Sequence, residues 1–377
     1  MKKKIDILIF SMHPIPYLSH IFRSIYSYNK NSKICYLDRL GLDEYDSPYF
    51  NVRYKSDYNL LEGHDFIFSN NLARNKITGF WSRINLDVFK LYLNNNFDNV
   101  MIIGYQTFSS WYILLLSIIF KKKIFFKGEA IPKKRTFLIK TFLKIFFFKI
   151  DFCLYSCTGN LNFYKSLKIK EHKLINAPCS VDYNFFLNNH HSEEEVLKFK
   201  EKLKLKNDKK TIVFVSKLIE RKNPLELIEA VSNIKDKFQV LFIGDGPLKY
   251  QISDFAKKNK VDIFFAGFLN QTQLALGYRS ADLYVNTSFH DASPKTLNEC
   301  LCFNIPIISP NHIGQVDDII IPNLNGFKYN IGDIEDLRQK IIKSVILDRN
   351  DIKKINKKLI NKTSAAVFTI NLYKEII

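Results

Sequence analysis

Residues 211–246 read TIVFVSKLIERKNPLELIEAVSNIKDKFQVLFIGDG. Two short, β-rich apolar runs, Thr211–Ser216 and Phe238–Ile243, bracket a helical pattern at Pro224–Ile234. Strands that alternate with helices in this way build parallel sheets covered on both faces. The same rhythm runs outward in both directions. Downstream, strands are expected at Val261–Ala266, Leu283–Val285 and Pro306–Ser309, with helices at Leu248–Lys258, Gln271–Tyr278, Lys295–Cys302 and Ile334–Ile346. Upstream, strands are expected at Ile5–Phe10, Lys33–Leu37, Asn99–Ile103, Lys123–Lys127 and Asp151–Tyr155, with helical patterns at Asn85–Asn95 and Thr107–Ile119. The chain of 377 residues is long for one domain. The fold class expected is therefore α/β, with two doubly wound domains. The boundary is expected near Asp182 to Lys210, where HHSEEEVLKFKEKLKLKNDKK is highly charged and lacks a strand pattern.

Composition removes several classes of function. With 46% hydrophobic and 25% charged residues the chain is globular, neither disordered nor low-complexity. It holds no run of 18 apolar residues, so no spanning helix is expected. Its six cysteines form no CxxC pair and have no histidine at zinc-ligand spacing, which reads as buried thiols of a reduced, cytosolic protein. The net charge of +19 calls for a polyanionic partner or an anionic surface. Ten basic residues and one acid, Glu129, fall within residues 121–150. There KKKIFFKGEAIPKKRTFLIKTFLKIFFFK interleaves cations with apolar residues. A helix over Thr136–Phe148 is expected to place Lys140 and Lys144 on one face, with Leu138, Phe142 and Phe146 across from it. That pattern suits an anionic membrane surface. It equally describes a helix that packs its apolar face on the sheet and leaves its lysines in solvent. No nucleic-acid-binding fold or aromatic platform accompanies the charge, so nucleic acid is not an expected partner.

Three stretches carry chemistry. In FVSKLIERKNP, Lys217 and Lys222 lie in a loop between a strand end and a helix start. Parallel sheets bind ligands at the carboxyl ends of their strands, and two cations there suit a diphosphate. A solvated basic loop has the same composition. In LFIGDGPLKYQI, Gly244 and Gly246 permit a tight turn and close approach of backbone to a ligand. Lys249 stands where a dinucleotide fingerprint needs glycine. In SFHDASPKTLNECLCFNIPIISP, Asp291 and Glu299 flank the first turns of a helix, with Ser293 and Pro294 expected as its cap and first residue. The two carboxylates could hold ribose and sugar hydroxyls, or serve only the helix dipole.

The order of these elements is itself informative. The basic pair is followed by GDGP, Ala266-Gly267-Phe268, SADLYVNTS, the Asp291–Glu299 pair, IPIIS and the Asn323–Gly326 turn. Over about residues 210–345 this resembles the donor-binding half of the retaining glycosyltransferases of the GT-B fold, family 4. The resemblance implies two Rossmann-like domains facing a central cleft. The acceptor domain would be residues 1–186 and the nucleotide-sugar domain residues 187–358. Residues 359–377 would form a last helix, near Ala365 to Ile377, that crosses back onto the first domain. It implies that Lys217, Lys222 and Asp291 are the catalytic residues, the two lysines binding the diphosphate, with Lys217 standing where the family has Arg. It places Asp291, Asp in place of the usual Glu, near the donor sugar, and Glu299 on the ribose. Gly244, Gly246, Phe268, Ala292, Ser293, Pro294, Lys295 and Thr296 complete the donor site. IIGYQTFSSW, FFKGEA and INAPCSVDYNFF look like the family's first half, although its Gly-Gly loop after the first strand is replaced by residues 11–17, SMHPIPY. His13, Lys127 and Glu129, near strand ends, are the acceptor-side candidates. The implied chemistry is metal-independent, retaining transfer from a UDP or GDP sugar, with no cofactor and no metal site. The adjacent Asp317 and Asp318 read as a solvated face. The acceptor expected is a saccharide or lipid-linked hydroxyl, met by a cytoplasmic protein peripheral to the inner face of a membrane. A sugar-nucleotide 2-epimerase and a catalytically degenerate binding subunit share the fold and stay open at this point.

Overall fold

Two parallel sheets carry the chain in the computed structural model, which describes residues 4–42, 45–46, 53–54, 57–75, 79–188 and 191–376. The first sheet contains β1 (Ile5–Ser11), β2 (Ser32–Tyr36), β5 (Phe66–Phe68), β6 (Phe97–Ile103), β7 (Lys123–Lys127), β8 (Phe152–Tyr155) and β9 (Leu174–Asn176), in the order β5-β2-β1-β6-β7-β8-β9. Two-residue strands β3 (Tyr45–Asp46) and β4 (Arg53–Tyr54) form a separate antiparallel pair. The second sheet contains β10 (Lys210–Val215), β11 (Phe238–Ile243), β12 (Ile263–Gly267), β13 (Leu283–Val285), β14 (Ile307–Pro310) and β15 (Gly326–Tyr329), in the order β12-β11-β10-β13-β14-β15. Both orders reverse direction once, at β1/β6 and at β10/β13. Central strands such as β11 are buried at every residue, as strands covered on both faces must be.

The chain divides into two compact units, Met1–Asp43 with Asn59–Cys179 and Thr363–Ile377, and Glu44–Tyr58 with Ser180–Lys362. Residues 186 and 358, after which the sequence suggested boundaries, both lie inside the second unit. The final helix, Ala365–Tyr373, packs within the first unit against the helix Pro16–Tyr28. Phe368, Leu372 and Tyr373 join Ile21, Phe22 and Ile25 in one core cluster, and Asn371 Nδ2 donates to the Asn176 carbonyl at 2.8 Å. All six cysteines are buried thiols.

Two local expectations need correction. The helix after the DASP stretch begins at Lys295, with Pro294 as its cap rather than Ser293. Ser293 is instead drawn back by its own N–H, which donates to Asp291 Oδ1 at 3.2 Å. In the helix Phe137–Phe148, Phe146 does not share the surroundings of Leu138 and Phe142. Phe146 points into the core with Leu143 and Phe147, whereas Leu138 and Phe142 are exposed. Among the described residues no helix is long and apolar enough to cross a membrane.

Candidate functional site

The loops that leave β10 and β13 sit where the second sheet reverses its strand order, the position at which open α/β sheets bind ligands. The β10 loop makes a short 3-10 turn over Glu220–Lys222. It then passes through Asn223 in the left-handed region (φ 48°) and enters the helix Pro224–Ser232 with proline in its first turn. The β13 loop is fastened to it. Thr287 Oγ1 donates to the carbonyls of Lys222 and Asn223 at 3.1 and 2.7 Å. The Phe289 N–H reaches the Arg221 carbonyl at 2.9 Å, and Arg221 Nη1 donates to the His290 carbonyl at 2.6 Å. This zipper delivers Lys222 Nζ to Asp291 Oδ2 at 2.5 Å, with the two side chains only 12% and 18% exposed. Charge-assisted contacts this short are among the strong ones.

The glycines of GDGP support the same loop from below. A Cβ on Gly244 would lie 2.0 Å from the Ser216 carbonyl oxygen, and one on Gly246 would lie 2.4 Å from that of Leu218. Gly244 also has φ +127°. The turn therefore requires glycine because the backbone on either side of Lys217 lies directly against it. Hydrogen bonds from Leu218 N to the Asp245 carbonyl (2.9 Å) and from Gly244 N to the Gly267 carbonyl (2.7 Å) tie three strand ends together, with Phe268 next in the chain. Lys217 is half-buried. Burial holds its pKa below the ordinary lysine value, and the charges of Arg221 and Lys222 push it the same way. Lys222 already has the Asp291 carboxylate, and a bound anion would favour the charged form of Lys217 against its burial and its two cationic neighbours.

Glu299 lies in the helix Lys295–Phe303 and is 1% exposed. Its Oε2 accepts from the Tyr278 hydroxyl at 2.6 Å, and Tyr278 is itself stacked on Phe303 with ring centroids 5.1 Å apart. Its Oε1 is buried and has no hydrogen-bond partner among the described residues. Burial raises the carboxyl pKa to about 7, against the pull of the Tyr278 bond and the Lys295 charge. A buried carboxylate oxygen without a donor is costly, and it is the feature a ligand hydroxyl would satisfy. Earlier in the same helix Thr296 Oγ1 meets the Tyr284 hydroxyl at 2.8 Å, and Lys295 Nζ reaches Ser293 Oγ at 3.4 Å.

Contacts join Lys222 and Ser293 to Asp291, Lys295 to Ser293, and the Gly244–Gly246 turn to the backbone around Lys217, whereas Phe268, Ala292, Pro294, Thr296 and Glu299 lie on the loops and helix that follow β12 and β13. Two contributors were not foreseen. Arg221 stands beside Lys222 in the sequence, and its adjacency was the available signal. Tyr278, within the helix Gln271–Arg279, carries no sequence mark of its contact with Glu299.

In the first unit Lys127, the last residue of β7, is 3% exposed and pairs with Glu129 at 3.3 Å. His13 follows β1 and joins a different group. Its pKa falls to about 4 through burial and the Arg83 charge, with Asp38 opposing. Its Nδ1 is buried with no hydrogen-bond partner among the described residues. Arg83 Nε lies 3.9 Å from Asp38 Oδ2. Neither residue was singled out from the sequence. Among the described residues no three or more of His, Cys, Asp and Glu gather as metal ligands.

Residues 195–363 match the family model described as Glycosyl transferases group 1. The chain is 29% identical over 142 residues to TuaC of Bacillus subtilis, whose name assigns it to teichuronic acid biosynthesis, a match covering 38% of this chain and 34% of TuaC. It is 26% identical over 158 residues to the alpha-monoglucosyldiacylglycerol synthase of Acholeplasma laidlawii, covering 41% of this chain and 39% of that protein. The chain thus spans little more than a third of the length of these relatives. The crystal structure of Anabaena HepE in complex with UDP and glucose superposes with a TM-score of 0.75 at 13% identity, over 99% of both chains, a likeness of fold.

Proposed function

From the premise that residues 195–363 belong to the glycosyl transferases group 1 family, on a GT-B fold, we propose that the protein is a glycosyltransferase that takes its sugar from a nucleotide-diphosphate sugar. The observations that carry this reading are the cations Lys217, Arg221 and Lys222 in the loop after β10 and the buried Glu299 oxygen without a donor in the helix that follows β13, the two strands that flank the topological switch point. In the reaction the bond from the sugar's anomeric carbon to the diphosphate breaks and a bond to an acceptor oxygen forms. The acceptor hydroxyl gives up its proton, which leaves with the departing diphosphate or passes to water. Lys217 and Lys222 neutralise the charge that develops on the departing diphosphate, which takes the place of a metal. Glu299 receives ribose hydroxyls. Asp291 lies beside the transferred sugar, and residues 292–296 line the diphosphate and sugar. The product keeps the configuration of the donor.

The donor is a UDP or GDP sugar. The first unit receives the acceptor, with His13, Lys127 and Glu129 on that side. The acceptor is a saccharide or lipid-linked hydroxyl, reached by a cytoplasmic protein at the inner face of a membrane. The glycolipid product in the name of the Acholeplasma relative and the basic stretch 121–150 support this choice.

The test is incubation of the protein with a panel of UDP and GDP sugars, reading release of the nucleoside diphosphate and the fate of the sugar. Release of diphosphate with free or transferred sugar is expected for one donor. An epimerised, intact sugar nucleotide would replace the transferase reading with the epimerase, and no turnover of any donor that binds would leave a binding subunit.

A further inference from the structure

The outward half of the helix Phe137–Phe148 is apolar. Phe137 is 81% exposed, Phe148 75%, Leu138 74%, and Phe142 and Ile145 60% each. Scattered exposed apolar side chains need no explanation, but five on one helix face do. The neighbouring helix Phe108–Ile119 extends the face. Its Trp111 ring lies 5.4 Å from that of Phe142. Leu115, Ile118 and Ile119 follow Trp111 at helical spacing on the same side, and all three are exposed. At the far end Trp81, also exposed, stacks on Phe108 at 5.4 Å.

Charge surrounds this surface. Lys121, Lys133, Lys134, Lys140, Lys144 and Lys149 are exposed. From Gly104 to Ile150 the sequence has one acid, Glu129, whose carboxylate faces Lys127. On the helix Phe137–Phe148, Lys140 and Lys144 stand along one edge of the exposed apolar residues rather than opposite them.

We propose that this two-helix face docks onto an anionic lipid bilayer, its aromatic and aliphatic side chains entering the boundary between headgroups and acyl chains while the lysines meet lipid phosphates. The charge selects the occupant. A second copy of the chain would set lysine against lysine across the contact, whereas an anionic leaflet offers an apolar interior beneath a layer of negative charge. The inference deepens the reading of a membrane-borne acceptor and stands apart from the donor site, which lies in the other unit. It goes further than attraction of charge. The lysines are screened when salt shortens the Debye length from about 8 Å to about 3 Å, but inserted side chains are not.

The experiment is co-sedimentation of the full chain with vesicles of phosphatidylcholine, alone or with phosphatidylglycerol added, at low and high salt. The proteins compared are the wild type, the triple variant Phe142→Ser/Ile145→Ser/Phe148→Ser, and Lys133→Gln/Lys134→Gln/Lys140→Gln/Lys144→Gln. Wild type is expected to prefer the anionic vesicles by at least about tenfold and to keep a bound fraction at high salt. Each variant is expected to lose at least about tenfold in partitioning to anionic vesicles, and the triple variant its salt-resistant fraction. A far-ultraviolet circular dichroism spectrum and a urea-unfolding transition like those of the wild type report that both variants are folded. Equal partitioning of wild type and either variant overturns the proposal. So does a lipid-free dimer, seen by sedimentation velocity, that the triple variant abolishes. Should the variants fail to fold, the tryptophan emission of the wild type decides. A blue shift on adding anionic vesicles supports insertion of Trp81 and Trp111, and an unchanged spectrum overturns it.

Discussion

Replacing Glu299 by glutamine is expected to stabilise the free protein above neutral pH while weakening its grip on a nucleotide. The carboxyl is buried and its pKa rises from the ordinary 4.5 to about 7. Between those values the folded chain keeps a proton that the unfolded chain has released, so this site's contribution to stability falls as pH rises through the window. A displacement of roughly 2.5 units corresponds to roughly 3 kcal/mol, complete by about pH 8. Glutamine carries no charge at any pH and can still accept from Tyr278. Its buried amide donors cost about 1–2 kcal/mol, leaving a net gain of about 1–2 kcal/mol at pH 8. At pH 5, where the native carboxyl is already neutral, Glu299→Gln should be neutral to destabilising. Urea unfolding of both proteins at pH 5 and pH 8, without nucleotide, measures the difference directly. The same site makes a second demand. Ribose hydroxyls donate best to the ionised carboxylate, so wild-type affinity for a nucleoside diphosphate should rise with pH through about 7 and that of the variant should not. Parallel pH dependence of stability in the two proteins would refute the reasoning, because it would mean that Glu299 is ionised in the free fold at no cost.

Three further outcomes follow from the geometry. Lys217→Ala and Lys222→Ala each remove a cation from the proposed diphosphate site, where a charge-assisted contact is worth ~1.5–3 kcal/mol, so steady-state transfer should fall roughly ten- to hundredfold in each; unchanged kinetics in both would remove the phosphate assignment. Asp291→Asn should lower turnover more than affinity for the nucleoside diphosphate, since its charge matters most as the sugar becomes cationic, and titration showing it to be a weaker binder than Glu299→Gln would reverse the two roles. Gly244→Ala sets a Cβ 2.0 Å from the Ser216 carbonyl at φ +127° and should destabilise the second unit by about 2–3 kcal/mol in urea, and a variant as stable as wild type would show that the turn can relax.

The longer strands of this fold were legible in the sequence through their uniform patterns. β11 and β10 stand out because strands covered on both faces are continuously apolar. Length alone does not decide the short ones: β13, of three residues, and β8 and β14, of four, were expected, whereas β5, β9 and β15, of three or four residues, were not. The helix Pro16–Tyr28 was missed because HPIPY reads as a loop, although proline's fixed φ suits a first helical turn. At the site, residue types and order pointed to Lys217, Lys222, Asp291 and Glu299, but not to their state. The Lys222–Asp291 contact joins loops 69 positions apart and exists because β10 and β13 are neighbours in the sheet. The burial of Glu299 depends on Tyr278 and Phe303, which its local sequence does not announce. A helical wheel could not orient Phe137–Phe148, because apolar residues occupy both its inner and its outer sides.

The loops after β10 and β13, with the helix that carries Glu299, are proposed as one nucleotide-diphosphate site. Isothermal titration of UDP and GDP into wild type and into the Lys217→Ala/Lys222→Ala double variant tests it most directly. Wild type is expected to bind one of the two nucleotides saturably, with an affinity at least about a hundredfold above that of the double variant. Binding of equal strength by both proteins, or binding of neither nucleotide by wild type, would contradict it.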